Sequence, residues 1–152
     1  MAMSSEKRAG SPMILAGLTF PDEERGPKGH SDGDAPLHAL IDALLGAAGL
    51  GDVGALFPAD DVAWEGADSA DLVKRAVERL AGAGWRPAGA DLAIAVATPS
   101  IADRREEIVA RVAELLGLAP EAVSVKGTTS DGLGFAGAEG LAAWAVAGVE
   151  PA

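Results

Sequence analysis

The sequence predicts an α+β sandwich in which helices cover one face of a mixed β-sheet. Segments with helical periodicity alternate with short apolar segments of strand type, and no internal repeat is visible. The length of 152 residues is about that of one domain. The 49% hydrophobic fraction includes only 4% aromatic residues, so we expect a core of closely packed small side chains.

Charge and residue content restrict the classes of function. The chain has 12 basic and 23 acidic residues, and its net charge of -11 works against binding to nucleic acid or anionic membranes. A small molecule or a protein is the favoured partner. Because cysteine is absent, any metal must be held by His, Asp or Glu. No segment has the pattern of a signal peptide or a membrane span, so we expect a cytoplasmic protein.

The first part of the chain is predicted to be mostly irregular. Residues 1–11 are polar and without period, which is typical of a disordered or tag-like start, so we place the single domain at 12–152. Residues 13–20 predict two short strands interrupted at Gly17. The charged run 22–29 contains Gly and Pro and predicts an exposed loop, and a catalytic lid and a plain linker would look alike here.

The clearest helix begins near Asp34, tolerates Pro36 in its first turn and ends before Gly49. Its apolar residues recur at helical spacing. On its flank Asp34, His38 and Asp42 follow at i, i+4 and i+8, so an imidazole and two carboxylates lie in one line. Such a line has the residue types of a cation site.

The remaining elements follow from the same kinds of pattern. We expect an irregular connection over 51–67, a helix with Ser69 as N-cap, a buried strand over 91–97 and a third helix that stops at Gly117. A short strand over 122–126 and a loop over 127–137 complete this part. The segment 141–149 fits a strand or a helix, and its residues 141–147 fit ordinary core or a subunit contact equally well.

The turn from His30 to Asp34 is the main candidate for chemistry. It places an imidazole, a hydroxyl and two carboxylates before a helix N-terminus, where free N–H groups and the helix dipole favour anions. A phosphate site is one interpretation. The alternative is that Asp32 or Asp34 caps the helix, that His30 is a surface residue, and that His38 lies at the edge of the core.

Three segments together resemble one family. They are HSDGDAPLHALIDALLGAAGLGDVGALFP, GADS and VSVKGTTSDGLGF, and their order and spacing are similar to the signature segments of 2-C-methyl-D-erythritol 2,4-cyclodiphosphate synthases. The resemblance runs from about Pro12 to Val149. It implies a homotrimer with active sites between subunits. It also implies a CMP-releasing cyclase of the non-mevalonate isoprenoid pathway, whose substrate is 4-diphosphocytidyl-2-C-methyl-D-erythritol 2-phosphate.

The resemblance also implies roles for individual residues. The implied catalytic residues are His30, Ser31, Asp42 and Thr129. The implied substrate-binding residues are Asp34, Asp52, Asp61, Lys126 and Thr128. The implied metal ligands are His38, for Zn or Mn, and Asp131, for Mg or Mn.

The chain departs from the family pattern at four places. The family's first strand carries an Asp-x-His pair of zinc ligands, but residues 1–7 contain neither type, and Glu6 is the nearest substitute. The cytidine loop, Thr98 to Ile101, lacks the family's lysine, and the segment 134–140 lacks its arginine. Ala59 stands where an Asp follows Phe-Pro. These departures give an alternative function, namely a family member that binds a phosphorylated ligand or a partner without metal-dependent cyclisation.

Overall fold

The architecture was obtained as a computed structural model that describes residues 2–27, 31–137 and 139–152. The strands are β1 (Ala2–Ala9), β2 (Met13–Leu15), β3 (Leu18–Phe20), β4 (Arg25–Pro27), β5 (Trp85–Ala95), β6 (Val123–Thr128) and β7 (Gly140–Pro151). The helices are α1 (Ala35–Ala47), α2 (Val53–Leu56), α3 (Ser69–Gly82) and α4 (Arg105–Leu116). Short 3₁₀ turns lie at Val62–Trp64, Ala102–Arg104, Pro120–Ala122 and Ser130–Gly132.

The main sheet has five strands in the order β4, β1, β7, β5, β6. Strands β5 and β6 are parallel and the other neighbours are antiparallel, so the sheet is mixed. Strands β2 and β3 form a separate hairpin. Helix α1 packs against β7, β5 and β1, while α3 packs on β5 and α4 on β6. The predicted sandwich with helices on one face is therefore confirmed.

Helix α1 supplies the centre of the core. Its apolar face is fully buried and shares one cluster with sheet residues such as Leu92, Ile94 and Leu141. The helix begins after Asp34 and has Pro36 in its first turn, as predicted. Helix α4 also ends as predicted, because Gly117 adopts the left-handed conformation with φ 67° that suits glycine after a helix.

The N-terminal segment is ordered as a strand, so the prediction of an irregular start was wrong. Strand β1 pairs with β7 over Ala2–Glu6 and with β4 over Lys7–Ala9. Its sequence, AMSSEKRA, shows no apolar alternation that would have predicted a strand. Its place in the sheet is set by backbone hydrogen bonds to two neighbouring strands rather than by the β-propensity of its own residues. The domain therefore includes this segment as well as 12–152.

Other boundaries differ from the sequence prediction in detail. Strand β5 begins at Trp85, several residues before the predicted start, and β4 and α2 lie within stretches predicted to be irregular. The N-cap of α3 is Asp68, whose side chain accepts from Ala70 N at 2.8 Å, and not Ser69. A four-residue helix and a three-residue strand are too short to give a periodic signal.

The C-terminal segment is strand β7, so of the two structures that its pattern allowed the strand is the one observed. Leu141, Ala143 and Ala145 are buried under the helices, whereas Trp144 and Val146 are 47% and 72% exposed on the opposite face. Among the described residues, none of the helices has the length and apolarity needed to cross a bilayer.

Candidate functional site

Asp34 joins α1 to the β2–β3 hairpin. One carboxylate oxygen accepts from Leu37 N at 3.1 Å and from Ala16 N at 2.8 Å, and the other accepts from Gly17 N at 2.7 Å. The side chain is fully buried, and burial raises its pKa to about 7 although these backbone donors lower it. Both oxygens are enclosed and engaged by the fold, so Asp34 makes a structural contact here, and its implied contact with substrate stays a prediction.

Asp32 joins the same turn to the start of α3. Its Oδ1 accepts from Asp34 N at 3.1 Å and from the hydroxyl of Ser69, and its Oδ2 accepts from Ser69 N at 2.9 Å. Ser69 is fully buried. The 31–34 turn and the first residue of α3 are thus held together through one carboxylate.

His38 lies one helical turn after Asp34, between two serine hydroxyls. Its Nε2 is 3.0 Å from Ser69 Oγ and 3.2 Å from Ser31 Oγ. Burial lowers the pKa of His38, and the nearby carboxylates of Asp32 and Asp42 raise it in part. We refer to Ser31, Asp32, His38 and Ser69 as the Ser-His cluster.

Asp42 ties α1 to α2. Its Oδ1 accepts from Val53 N at 2.7 Å, and only 7% of the residue is exposed. This contact satisfies an N–H group at the start of α2 that has no partner within that helix. The geometry gives Asp42 a structural contact, whereas the sequence resemblance implied a catalytic one.

Asp52 and Asp61 are exposed caps of short helical segments. Asp52 accepts from Ala55 N at 2.8 Å, and Asp61 accepts from Ala63 N at 2.9 Å, in each case through Oδ1. Their position at the surface leaves both residues reachable by a ligand. Their proposed contact with substrate therefore stays a prediction.

The other half of the expected site lies at the end of β6. Lys126 is exposed and bonds through Nζ to the carboxylate of Asp91 on β5, and Thr128 accepts from Ser130 N at 3.2 Å. Thr129 and Asp131 follow in the turn, both exposed, and Asp131 has φ 52°. All four side chains are accessible, so their predicted roles stay open.

The two halves lie on different sides of the sheet. Val123 and Val125 of β6 point into the helix-covered core, so the alternating residues Lys126 and Thr128 lie on the opposite face with Trp144. The Ser-His cluster instead lies between the N-termini of α1 and α3, in the helical layer. One chain does not bring the two halves into a single cleft.

A cleft of about 260 Å³ lies between the turn after β3 and the loop after β5. Lys7 reaches this loop from β1: its Nζ donates to Thr98 O at 2.8 Å, and the residue is only 8% exposed. Glu23 accepts from Thr98 Oγ1 at 2.9 Å. Burial lowers the pKa of Lys7, the nearby carboxylate of Glu23 raises it in smaller part, and the positive charge of Arg25 lowers it further. The loop that resembles the family's cytidine loop is thus held by two charged side chains.

The described residues do not form a three-ligand metal site. No group of three or more His, Asp or Glu side chains within 2–27, 31–137 and 139–152 could hold a metal ion. His38 brings one imidazole, Asp131 lies in the turn after β6, and β1 carries neither Asp nor His. His30 lies outside the described residues. The residues present therefore do not fit the zinc centre that the resemblance implies.

Sequence reasoning did not find two of the residues that hold this region together. Ser69 was predicted to cap α3, and its partnership with His38 spans 31 positions. Lys7 was assigned to an irregular start. The GADS motif is the one sequence feature that pointed to the neighbourhood of Ser69, but nothing in it indicates which side chain the hydroxyl would meet.

Comparisons with known proteins agree on one family. The model of the YgbB family matches residues 4–150. The chain is 48% identical over 139 residues to a 2-C-methyl-D-erythritol 2,4-cyclodiphosphate synthase of Symbiobacterium thermophilum, covering 91% of the chain and 88% of the relative. It is 45% identical over 144 residues to that of Salinibacter ruber, with 94% and 91% covered.

Solved structures give the same result. A 2C-methyl-D-erythritol-2,4-cyclodiphosphate synthase in a CDP-bound form is similar at TM-score 0.89 and 34% identity, with 98% of this chain and 97% of that chain covered. The bifunctional IspDF from Campylobacter jejuni is similar at TM-score 0.92 and 34% identity over 99% of this chain. The chain spans 41% of that longer protein.

Proposed function

The chain belongs to the YgbB family, and on this premise we propose that it is a cyclodiphosphate synthase of isoprenoid biosynthesis. The reaction would convert 4-diphosphocytidyl-2-C-methyl-D-erythritol 2-phosphate into 2-C-methyl-D-erythritol 2,4-cyclodiphosphate and CMP. The observation that carries the proposal is the Ser-His cluster, where hydroxyl and imidazole groups lie between the N-termini of α1 and α3. Helix N-termini attract phosphate groups.

In this reaction an oxygen of the 2-phosphate attacks the β-phosphorus of the diphosphate. A new P–O bond closes the ring while the bond from the β-phosphorus to the oxygen bridging to the α-phosphate breaks, and CMP leaves with that oxygen. Such a transfer depends on positioning and on stabilisation of charge, and needs no covalent enzyme intermediate. Ser31 would hold the 2-phosphate, Thr128 and Thr129 the diphosphate, and Lys126 would neutralise charge.

A single chain separates these groups, so we propose that they meet between neighbouring copies. Trp144 and Val146 form an exposed apolar patch on the face that carries Thr128. Contact with other copies at that patch would remove this apolar surface from water, which favours assembly of several copies. A homotrimer would have a mass of about three times 15.2 kDa, which light scattering would measure.

Relatives in this family imply a divalent cation, but we derive no step through one, because the described residues offer no three-ligand site. This same observation favours a second candidate function. The scaffold would bind a phosphorylated ligand or a partner protein without cyclisation. In that case cytidine nucleotides would stabilise the protein against heat, since a ligand that binds only the native state raises the melting temperature.

The decisive experiment incubates the purified protein with the cytidylyl substrate and added Mg²⁺ and Zn²⁺, and measures CMP. We expect CMP release that is lost in Thr129→Ala and retained in Asp71→Asn. Asp71 makes an exposed ion pair with Lys74 at 3.0 Å on α3 and serves as the matched control. Absence of CMP, together with a thermal shift in CDP, would replace the synthase proposal by the second candidate.

A further inference from the structure

The Ser-His cluster contains a hydrogen-bond chain whose direction follows from its chemistry. Asp32 already accepts from the N–H groups of Asp34 and Ser69, as a carboxylate does, and it also accepts the hydroxyl proton of Ser69. A carboxylate can only accept, and a serine hydroxyl has one proton to give. The proton of Ser69 therefore points at Asp32.

The direction of the next bond follows from the first. Ser69 Oγ is 3.0 Å from Nε2 of His38, and its proton is already used. Ser69 can take part in this contact only as acceptor, so Nε2 of His38 must carry the hydrogen. The same N–H faces Ser31 Oγ at 3.2 Å, so Ser31 also accepts there. Ser31 then has its own hydroxyl proton available for another acceptor.

We propose that Asp32 and Ser69 are positioning residues that fix His38 as the Nε2–H tautomer and thereby turn the hydroxyl proton of Ser31 toward a bound phosphate group. The proposal deepens the proposed function and rests on it for the identity of the anion. Four residues act in sequence, from the Asp32 carboxylate through Ser69 and His38 to Ser31. Only Ser31 touches the ligand, and the relay uses Nε2 of His38 alone.

The burial of the inner members supports a fixed direction. Ser69 has 0% of its surface accessible, so neither water nor a ligand reaches it. Among the described residues, every buried side-chain N or O atom has a hydrogen-bond partner. Water therefore cannot replace Asp32 as the acceptor for Ser69 without breaking a buried bond, which is costly. A fixed donor toward the anion avoids reorganisation of the site when the ligand binds.

The test measures the tautomer of His38 directly, on metal-free protein without substrate. Long-range ¹H–¹⁵N correlation spectra at pH 8 distinguish a protonated Nε2 from a protonated Nδ1. The chain has only two histidines, so a His30→Gln variant assigns the spectrum. We expect Nε2–H in the wild type. A predominantly Nδ1–H ring would overturn the proposal, whatever the outcome of the CMP assay.

Two variants separate positioning from simple support of the fold. Ser69→Ala removes the relay but keeps the backbone bond to Asp32, and we expect the two ring nitrogen shifts to move toward each other as both tautomers become populated. Ser31→Ala lies beyond the ring and should leave the tautomer unchanged, so it is the matched control. An unchanged tautomer in folded Ser69→Ala would refute the role of Ser69. If Ser69→Ala does not fold, the wild-type and Ser31→Ala spectra still decide the direction of the relay.

A binding measurement tests the second half of the proposal. Inorganic phosphate, titrated into each protein and followed through the histidine ring signals, is expected to bind roughly fivefold more weakly to Ser69→Ala and to Ser31→Ala. In the double variant the two losses should not add, because both changes act through the same donor, the hydroxyl of Ser31. Additive losses would mean that Ser69 supports the turn without directing the Ser31 proton.

Discussion

Ser69 Oγ lies 3.0 Å from Nε2 of His38, although the two residues are 31 positions apart and stand on different helices. The contact is possible because Asp32 holds the start of α3 against the turn that begins α1. Backbone bonding supports the same arrangement, since Asp32 N donates to Ala67 O at 3.3 Å. The helical layer therefore brings together two motifs that the sequence shows only separately.

Replacement of Asp42 distinguishes a structural carboxylate from a catalytic one. Asp42→Asn keeps an oxygen that can accept from Val53 N–H, so we expect stability and CMP release close to those of the wild type. Asp42→Ala leaves that N–H without its partner and should lower the free energy of unfolding by about 1–3 kcal/mol. Urea unfolding and the CMP assay measure both effects. Loss of kcat in a stable Asp42→Asn protein would restore the catalytic role that the resemblance implies.

Asp34 should make stability depend on pH in an unusual direction. Its pKa is raised from 3.8 to about 7 in the folded protein, so the native state holds a proton that the unfolded chain releases between these values. The contribution of Asp34 is thus fully present below pH about 4 and is lost as pH rises through about 7. The slope is at most about 1.4 kcal/mol per pH unit.

Asp34→Asn provides the comparison for this pH effect. The amide cannot ionise, but its NH₂ group must face the N–H of either Ala16 or Gly17. We expect a loss of about 1–3 kcal/mol at pH 5 and a smaller or reversed loss at pH 8, measured by urea unfolding at both values. Parallel pH profiles of the two proteins would show that Asp34 does not titrate in this range.

The three longer helices, α1, α3 and α4, and the fold class could be predicted because their signals are local. Helix α1 combines an N-cap, an early proline and apolar residues at helical spacing, and each of these acts within a few residues. Strand β1 could not be predicted in this way. Its neighbour β7 lies at the other end of the chain, β4 is a strand of only three residues, and the residues of β1 carry no apolar alternation. A strand whose position is determined by its neighbours need not show a strand pattern in its own sequence.

The candidate site was predictable in its residue types and only partly in its geometry. The sequence singled out the turn and the Thr128-Thr129 pair as candidates. Their placement on opposite sides of the sheet depends on which alternate residues of β6 face the helices and on the helices that cover one face. The enclosure of Asp34 depends on the β2–β3 hairpin, whose N–H groups at Ala16 and Gly17 point into the cap. Neither feature follows from spacing along the chain.

Alanine substitutions at two glycines, Gly26 in β4 and Gly46 in α1, should change stability in opposite directions. A Cβ on Gly26 would overlap the carbonyl group of Pro12, so Gly26→Ala should separate β4 from the preceding turn and lower the melting temperature. Gly46 is exposed in α1 and has no atom within 4 Å of a Cβ, so Gly46→Ala should raise stability by about 0.5–1 kcal/mol. Calorimetry of both variants measures the contrast. A stable Gly26→Ala protein would contradict the close approach of these two segments.

Lys7 should control the mobility of the loop that contains Thr98, because its Nζ bond to Thr98 O and the bond from Thr98 Oγ1 to Glu23 both hold this residue. Lys7→Met keeps the aliphatic stem in its buried position and removes the donor. Loss of one such bond is worth about 1 kcal/mol, so the amides of Val96 and Arg104, which donate to Thr128 O and Ile101 O on either side of this loop, should exchange with deuterium roughly fivefold faster. Lys74→Met, which removes an exposed ion pair with Asp71, is the control and should leave this exchange unchanged. Equal exchange in all three proteins would mean that Glu23 alone holds the loop, and weaker CDP binding in Lys7→Met alone would connect the loop to the nucleotide.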